Sequence, residues 1–325
     1  MLWLARRIVV LSILAGFLVF LSVAYVMPPI DDLDPGNPFW NGLSRFYEIL
    51  DARPIDDLRI LGIADPGIST LVVVGPSRGF DGYEVEAVRR FVSSGGMLLV
   101  LDDFGYANTL LEGLNLRFRF NGSLLLDPLF MERCRIAPKI RDVRLEGFES
   151  TEGVRLNYAT VIDGDGFDIL AYSSFFSFLD LDYDLSWSSG EPLGPFPVAV
   201  SVRMGSGLIV AVSDSSIFIN SMLGYDGNSR LLYRLLSGRM VYIDLSHRVP
   251  SIHANLKYSL KIILGFLSIP ESRYLVLAIL VYAIFKVRIR FVRVRSRVEE
   301  SLNRHPSWDR SIIERIREDL GWRLR

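Results

Sequence analysis

A charge-free apolar run begins at Ile8, directly after Arg6 and Arg7, and continues to Ile30 across the Pro28-Pro29 pair. As a helix of about 20 residues rising ~1.5 Å each, it reaches ~30 Å, the thickness of a bilayer core. This run constrains everything that follows: the rest of the chain is expected to be tethered at a membrane and to lie beyond it. Ser22-Val23-Ala24 offers a small-x-small cleavage site, so a removed signal peptide is the alternative. The apolar stretch continues past Ala24, which favours an uncleaved anchor over residues 1–30.

A second uncharged stretch, Tyr274 to Phe285, is followed at once by Lys286, Arg288, Arg290, Arg293, Arg295 and Arg297. Twelve residues alone give only ~18 Å of helix, but the first of these cations can extend the span by snorkelling. The positive-inside rule places both basic flanks in the cytoplasm. The expectation is a two-pass protein of the cell membrane with both termini cytoplasmic. A second transmembrane helix then covers 271–290 and a basic tail 291–325, leaving an extracytoplasmic domain over 31–250. Residues 251–270, with Lys257 and Lys261 one helical turn apart, read as a connecting or interfacial helix. In the tail, Ser311 to Leu320 reads as a short helix with the stripe Ile312, Ile313, Ile316 and Leu320, opened by a capping box at Ser311 and Glu314. It is a candidate docking helix for a cytoplasmic protein partner.

Charge is distributed unevenly. Residues 286–325 carry 12 Arg and Lys against 6 Asp and Glu, whereas residues 8–285 carry 22 against 31. An acidic middle argues against nucleic acid as a partner. The single cysteine, Cys134, excludes an intramolecular disulfide and a Cys-based metal cluster. Gln is absent and Arg outnumbers Lys 32 to 4, a composition compatible with a thermophile.

Between the anchors the pattern is α/β. Asn41 to Asp51 reads as an opening helix. Thr70 to Val74, Met97 to Leu101, Gly207 to Val212 and Met240 to Leu245 are continuous apolar runs, as in strands of a buried parallel sheet. Helices are expected after Asp81, through Leu110, Leu111 and Leu114, and through Leu231 to Leu236. This order predicts a parallel sheet covered by helices. Residues 117–205, broken by Gly, Pro, Asp and Ser, read as a β-rich insertion. Its loop Ser174 to Trp187 mixes aromatic and acidic residues, read as core packing or as a partner-binding surface.

Ligand sites of parallel α/β sheets form beyond the carboxyl ends of the strands. Here those ends supply Ser77, Asp102, Asp103, Asn108, Asp214, Ser215, Ser216 and Asn220 as ligand-binding candidates. The same residue types also cap helices and close turns. Gly75-Pro-Ser77-Arg-Gly79 formally matches a nucleophile elbow, with Asp214 and His247 in the matching order for a hydrolase. Against it, Arg78, Gly79 and Phe80 separate Ser77 from the helix cap at Asp81. Asp102, Asp103, Asp214 or Asp226 with His247 is an alternative carboxylate metal site for Mg²⁺ or Ca²⁺. No cofactor is expected.

Three segments together resemble the DUF4350 family: Leu71-Val-Val-Val-Gly-Pro76, the stretch from Phe91 through Gly95-Gly96 and Asp102-Asp103 to Asn108, and Gly205 through Ser213-Asp214 and Phe218 to Asn220. The likeness covers roughly residues 35–250. It implies a flavodoxin-like fold similar to class I glutamine amidotransferases, flanked here by transmembrane helices, in a family best known from archaea and bacteria. Amidotransferases of that class carry a nucleophilic Cys after the strand matching Met97–Leu101 and a His-Glu pair after the strand matching Gly207–Val212. Asp102-Asp103-Phe104 and Asp214-Ser215-Ser216 stand at those places, so the catalytic residues are missing. The resemblance therefore implies a fold kept for binding, sensing or scaffolding. Members are often encoded beside a MoxR-type AAA ATPase and a DUF58-type protein, which are the implied partners.

Overall fold

The computed structural model describes residues 2–305 together with Asp309, Ser311, Ile312 and Arg315. In chain order its elements are α1 (Leu2–Val26), α2 (Ser44–Leu50), β1 (Arg53–Ile55), β2 (Ser69–Val74), α3 (Gly82–Ser93), β3 (Met97–Leu101) and α4 (Asn108–Gly113). Short strands follow: β4 (Phe118–Phe120), β5 (Leu124–Leu126), β6 (Met131–Glu132), β7 (Cys134–Ile140), β8 (Asp142–Val143), β9 (Val154–Arg155), β10 (Ile162–Gly164), β11 (Asp168–Tyr172) and β12 (Phe178–Asp180). Then come β13 (Pro197–Met204), β14 (Gly207–Val212), α5 (Asp226–Leu236), β15 (Met240–Asp244), α6 (Ile252–Ser268) and α7 (Pro270–Arg304).

Eight strands form the main sheet in the order β1-β15-β2-β3-β14-β13-β11-β8. The first five pair in parallel, as expected. The last three pair antiparallel, so the sheet is mixed rather than wholly parallel. The expected insertion over 117–205 is corrected accordingly, because β8, β11 and β13 belong to the main sheet. The cause is local: Met204 pairs with Gly207, which leaves Gly205-Ser206 as a two-residue turn. A turn that short joins only antiparallel neighbours, and Gly205 supplies the positive φ of 58° that it needs.

The alternation of side chains along each strand sorts the core into two layers. Leu71, Val73, Leu98, Val100, Ile209 and Ala211 face α3 and α4, where they meet Val88, Phe91, Leu110 and Leu111. Val72, Val74, Leu99, Leu101, Val210 and Val212 face the opposite way, toward Phe46 of α2, Phe218, and Leu232 and Leu236 of α5. Helix α3 starts as the sequence predicts: Asp81 accepts from the Tyr83 and Glu84 amides, and the Glu84 side chain accepts from the Asp81 amide at 2.8 Å. Beside it, Gly95 at φ 111° turns the chain into β3.

The chain divides into two units, Met1–Leu256 and Lys257–Arg325. Among the described residues no single helix is long and apolar enough to cross a membrane. Leu11–Val26 is a shorter apolar helix, and Ile252–Ser268 with Pro270–Lys286 reaches the required length only as a pair bent by 96°. On α1, Ile13, Phe17, Leu18 and Val19 are each more than half exposed. The tail helix expected at Ser311 to Leu320 lies largely outside the described residues.

Leu99 is fully buried in the central strand β3, whereas Ile63 is 87% exposed. Leu99→Ala is expected to lower the unfolding free energy by about 2–5 kcal/mol and Ile63→Ala to change it by less than about 0.5 kcal/mol. Guanidinium unfolding of the full chain in detergent, followed by circular dichroism, checks both.

Candidate functional site

The parallel register of β2, β3 and β14 ends level, with Val74 opposite Leu101 and Leu101 opposite Val212. The ladder runs one residue further: the Gly75 amide donates to Leu101 O at 2.8 Å, and the Asp102 amide to Val212 O at 3.2 Å. The chains leaving these strands therefore emerge side by side, which brings Asp102, Asp103, Asp214 and Ser215 together at one edge. Gly75 has φ 47°, and a Cβ placed there would approach Ser215 Cβ to 3.2 Å. Glycine thus suits both the turn and the close approach of Ser215.

Each of these groups is buried, and each has a specific employment. Asp102 accepts from the amides of Asp103 at 2.8 Å, Phe104 at 3.2 Å and Ala107 at 2.7 Å, which organises the loop into α4. Asp214 accepts from the Asn157 amide at 2.7 Å and from the Ser216 amide and hydroxyl, both at 2.8 Å. Ser215 Oγ donates to Asp103 Oδ2 at 2.8 Å, while Asp103 Oδ1 is buried with no hydrogen-bond partner. Burial pushes Asp102 up to about 6 against the pull of its amide donors. Burial and then the nearby charge of Asp103 push Asp214 up to about 7. Burial also raises Asp103, with the Ser215 hydroxyl opposing.

The remaining candidates are structural pins. Asn108 closes a two-way clasp on Phe120, donating to its carbonyl and accepting from its amide, both at 2.9 Å. Asn220 donates to the carbonyls of Asn37 at 3.0 Å and Phe39 at 2.6 Å and accepts from the Arg45 amide at 2.9 Å. It ties the segment before α2 to the loop after β14. Ser216 Oγ reaches Asn157 O at 2.9 Å. Asn157 was not singled out from the sequence; an Asn in a loop carries no spacing signal of its own.

The Ser77-Asp214-His247 relay is not assembled. Ser77 Oγ donates to the His247 backbone carbonyl at 3.3 Å and accepts from the Val249 amide at 2.9 Å. The His247 ring instead lies between two other carboxylates, Asp244 at 2.6 Å from Nδ1 and Glu84 at 3.0 Å from Nε2, and stacks on Phe80 at 3.5 Å. Satisfying both carboxylates requires a proton on each ring nitrogen or on one carboxyl. Burial opposes ionisation of Glu84, but the Asp81 amide, His247 and Arg78 together hold it below the usual range. The Asp244 and His247 pair at i, i+3 just past a strand end was the available signal for this cluster. Of the metal set drawn from Asp102, Asp103, Asp214, Asp226 and His247, only the first three share this edge. His247 belongs to the Glu84 cluster, and Asp226 is exposed and pairs with Arg230 at 2.6 Å.

A family model described as "Domain of unknown function (DUF4350)" matches residues 35–236. The chain belongs to the DUF4350 family. No curated protein matches it. Among solved structures, this DUF4350 protein is similar to the "mmIFT52 N-terminal domain", with 15% identity and a TM-score of 0.43 over 56% of this chain and 79% of that one. It is also similar to a beta-galactosidase from Bacillus circulans sp. alkalophilus, with 16% identity and a TM-score of 0.31 over 52% of this chain. A third similarity is to the exo-beta-1,4-mannosidase Op5Man5 from Opitutaceae bacterium strain TAV5, with 14% identity and a TM-score of 0.29 over 52% of this chain. The matches span only 22% of the galactosidase chain and 25% of the mannosidase chain.

A carboxyl whose folded-state pKa is raised holds its proton more tightly in the folded chain. The stability it contributes is complete below the unfolded value near ~3.9 and is lost as pH rises through the folded value. For Asp102 and Asp214 that window runs from about pH 4 to about pH 7. Asp103→Asn removes one buried charge and the repulsion it exerts on Asp214. The variant is expected to gain on the order of 1 kcal/mol over the parent at about pH 8 and to lose that gain at about pH 4.5. Guanidinium unfolding of both proteins at the two pH values measures the difference, and an equal effect at both would contradict the assignment.

Proposed function

We propose that this DUF4350 protein is a non-catalytic, membrane-anchored binding or scaffold component. The reading rests on one observation: the strand-end polar groups are engaged in holding the fold, and Ser77 Oγ bonds backbone groups rather than a general base. Among the described residues of this edge, Asp103 Oδ1 beside Ser215 is a buried carboxylate oxygen left for a ligand or a partner's donor. Its amidotransferase-like ancestry is part of the same proposal, with the catalytic positions given over to Asp102-Asp103 and Asp214-Ser215-Ser216.

In this reading the N-terminal apolar helix and the segment at 271–290 are the two anchors. Exposed apolar side chains on α1 and the cation cluster after Phe285 support it. Residues 31–270 then lie outside the cytoplasm and the basic tail inside, where a MoxR-type AAA ATPase and a DUF58-type protein are the proposed partners.

The single cysteine makes the topology measurable, because Cys134 is exposed. A membrane-impermeant maleimide is expected to label the full chain in intact cells as fully as after lysis. Labelling only after lysis would place the domain inside. Cross-linking in native membranes is expected to join the tail to cytoplasmic proteins. A purified chain that hydrolyses ester substrates and loses that rate in Ser77→Ala would overturn the binding reading. The expected cost of Ser77→Ala is instead about 0.5–1.5 kcal/mol of stability from the lost Val249 bond, read by chemical unfolding.

A further inference from the structure

The loop after β12 carries three carboxylates at alternate positions, Asp180, Asp182 and Asp184. One ligand oxygen from each lies within 4.8 Å of the other two. Asp180 is fully buried at the end of β12, opposite Leu124 of β5. Its Oδ2 accepts from the Leu185 amide at 3.0 Å, but its Oδ1 is buried without any hydrogen-bond partner. A buried carboxylate oxygen with no donor carries a full desolvation penalty unless something else meets it.

Among the described residues no Lys, Arg or His pairs with any of the three. Arg135 reaches this loop, but it bonds the Leu185 carbonyl. Asp182 and Asp184 are exposed, and each commits Oδ1 to a backbone amide, of Asp184 at 3.2 Å and of Ser186 at 2.7 Å. Their second oxygens remain for a ligand. Across the loop, Glu191 accepts from the Leu181 amide and the Ser188 amide, both at 2.8 Å, and so braces the segment that holds the three acids together.

We propose that Asp180, Asp182 and Asp184 form a calcium site. Three carboxylates without His or Cys are a hard-oxygen donor set, which selects calcium or magnesium over zinc or copper. Alternate acidic positions are also the opening pattern of calcium loops. Magnesium is ordinarily held by one or two carboxylates and keeps most of its water, so three clustered carboxylates favour calcium. The site is on the loop after β12, separate from the strand-end cluster, and does not depend on the proposed function.

The test uses the full chain in detergent, stripped with a chelator. Terbium(III), a calcium mimic, is added and excited through the neighbouring Tyr183 and Trp187. One saturable luminescent site per chain is expected, displaced by calcium chloride, with magnesium at least about tenfold less effective. Asp182→Asn with Asp184→Asn changes only exposed groups and is expected to weaken calcium at least about tenfold with an unchanged circular dichroism spectrum. Asp180→Asn, which keeps an acceptor for the Leu185 amide, is expected to do the same. No saturable signal up to about 10 mM calcium, equal affinity in the folded double variant, or equal competition by magnesium would overturn the assignment.

Discussion

Burying β2, β3 and β14 on both faces is the constraint on which the rest depends. Their interiors are satisfied by apolar helices, but their carboxyl ends must release polar backbone and side chains in a place with little water. A buried polar group without a partner costs roughly as much as a core mutation. The loops are therefore built around side chains that replace missing backbone partners. Asp102 takes three amides, Asn228 bonds the carbonyls of Arg155 and Ile217, and Asn220 bonds backbone groups of Asn37, Phe39 and Arg45. The residues that look like a site on paper are the ones that make such an edge possible.

The Glu84 carboxylate shows how fully the edge is committed. One residue completes the capping box of α3, faces His247 Nε2 and accepts from Arg78 at 3.2 Å. It thus joins a helix start, the loop before it and the segment after β15. Ser77 is fastened to that same segment through His247 and Val249. A nucleophile elbow needs its serine to project freely at the turn into the helix. Here the intervening residues 78–80 lead to a cap at Asp81, and the serine hydroxyl is held by backbone.

The repeating parts of this fold were legible because they depend on short-range pattern. Continuous apolar runs marked β2, β3 and β14, and Asp81-x-x-Glu84 marked the start of α3. The mixed sheet is less legible, because the β-rich pattern of 117–205 ends at Gly205, in the middle of a hairpin turn. Gly205-Ser206 between two apolar runs was itself the signal that β13 returns antiparallel to β14. Convergence of Asp103, Asp214 and Ser215 was legible from topology, since neighbouring parallel strands end level. The partner of His247 was not. Pairing by motif order points to Asp214, whereas the ring finds Asp244 three residues away and Glu84 from a helix start.

The two acidic sites differ in what balances their charge. At the strand ends, desolvation raises Asp102, Asp103 and Asp214 while backbone amides and serine hydroxyls pull the other way, so fixed hydrogen-bond donors of the fold balance the carboxyls there. The loop at 180–184 places one carboxylate in the interior and two in water, at mutual distances set by backbone hydrogen bonds. Two exposed acids gain nothing from desolvation, and the buried one leaves an oxygen unmet. A hard cation resolves both conditions at once, because it bridges water-facing and buried oxygens.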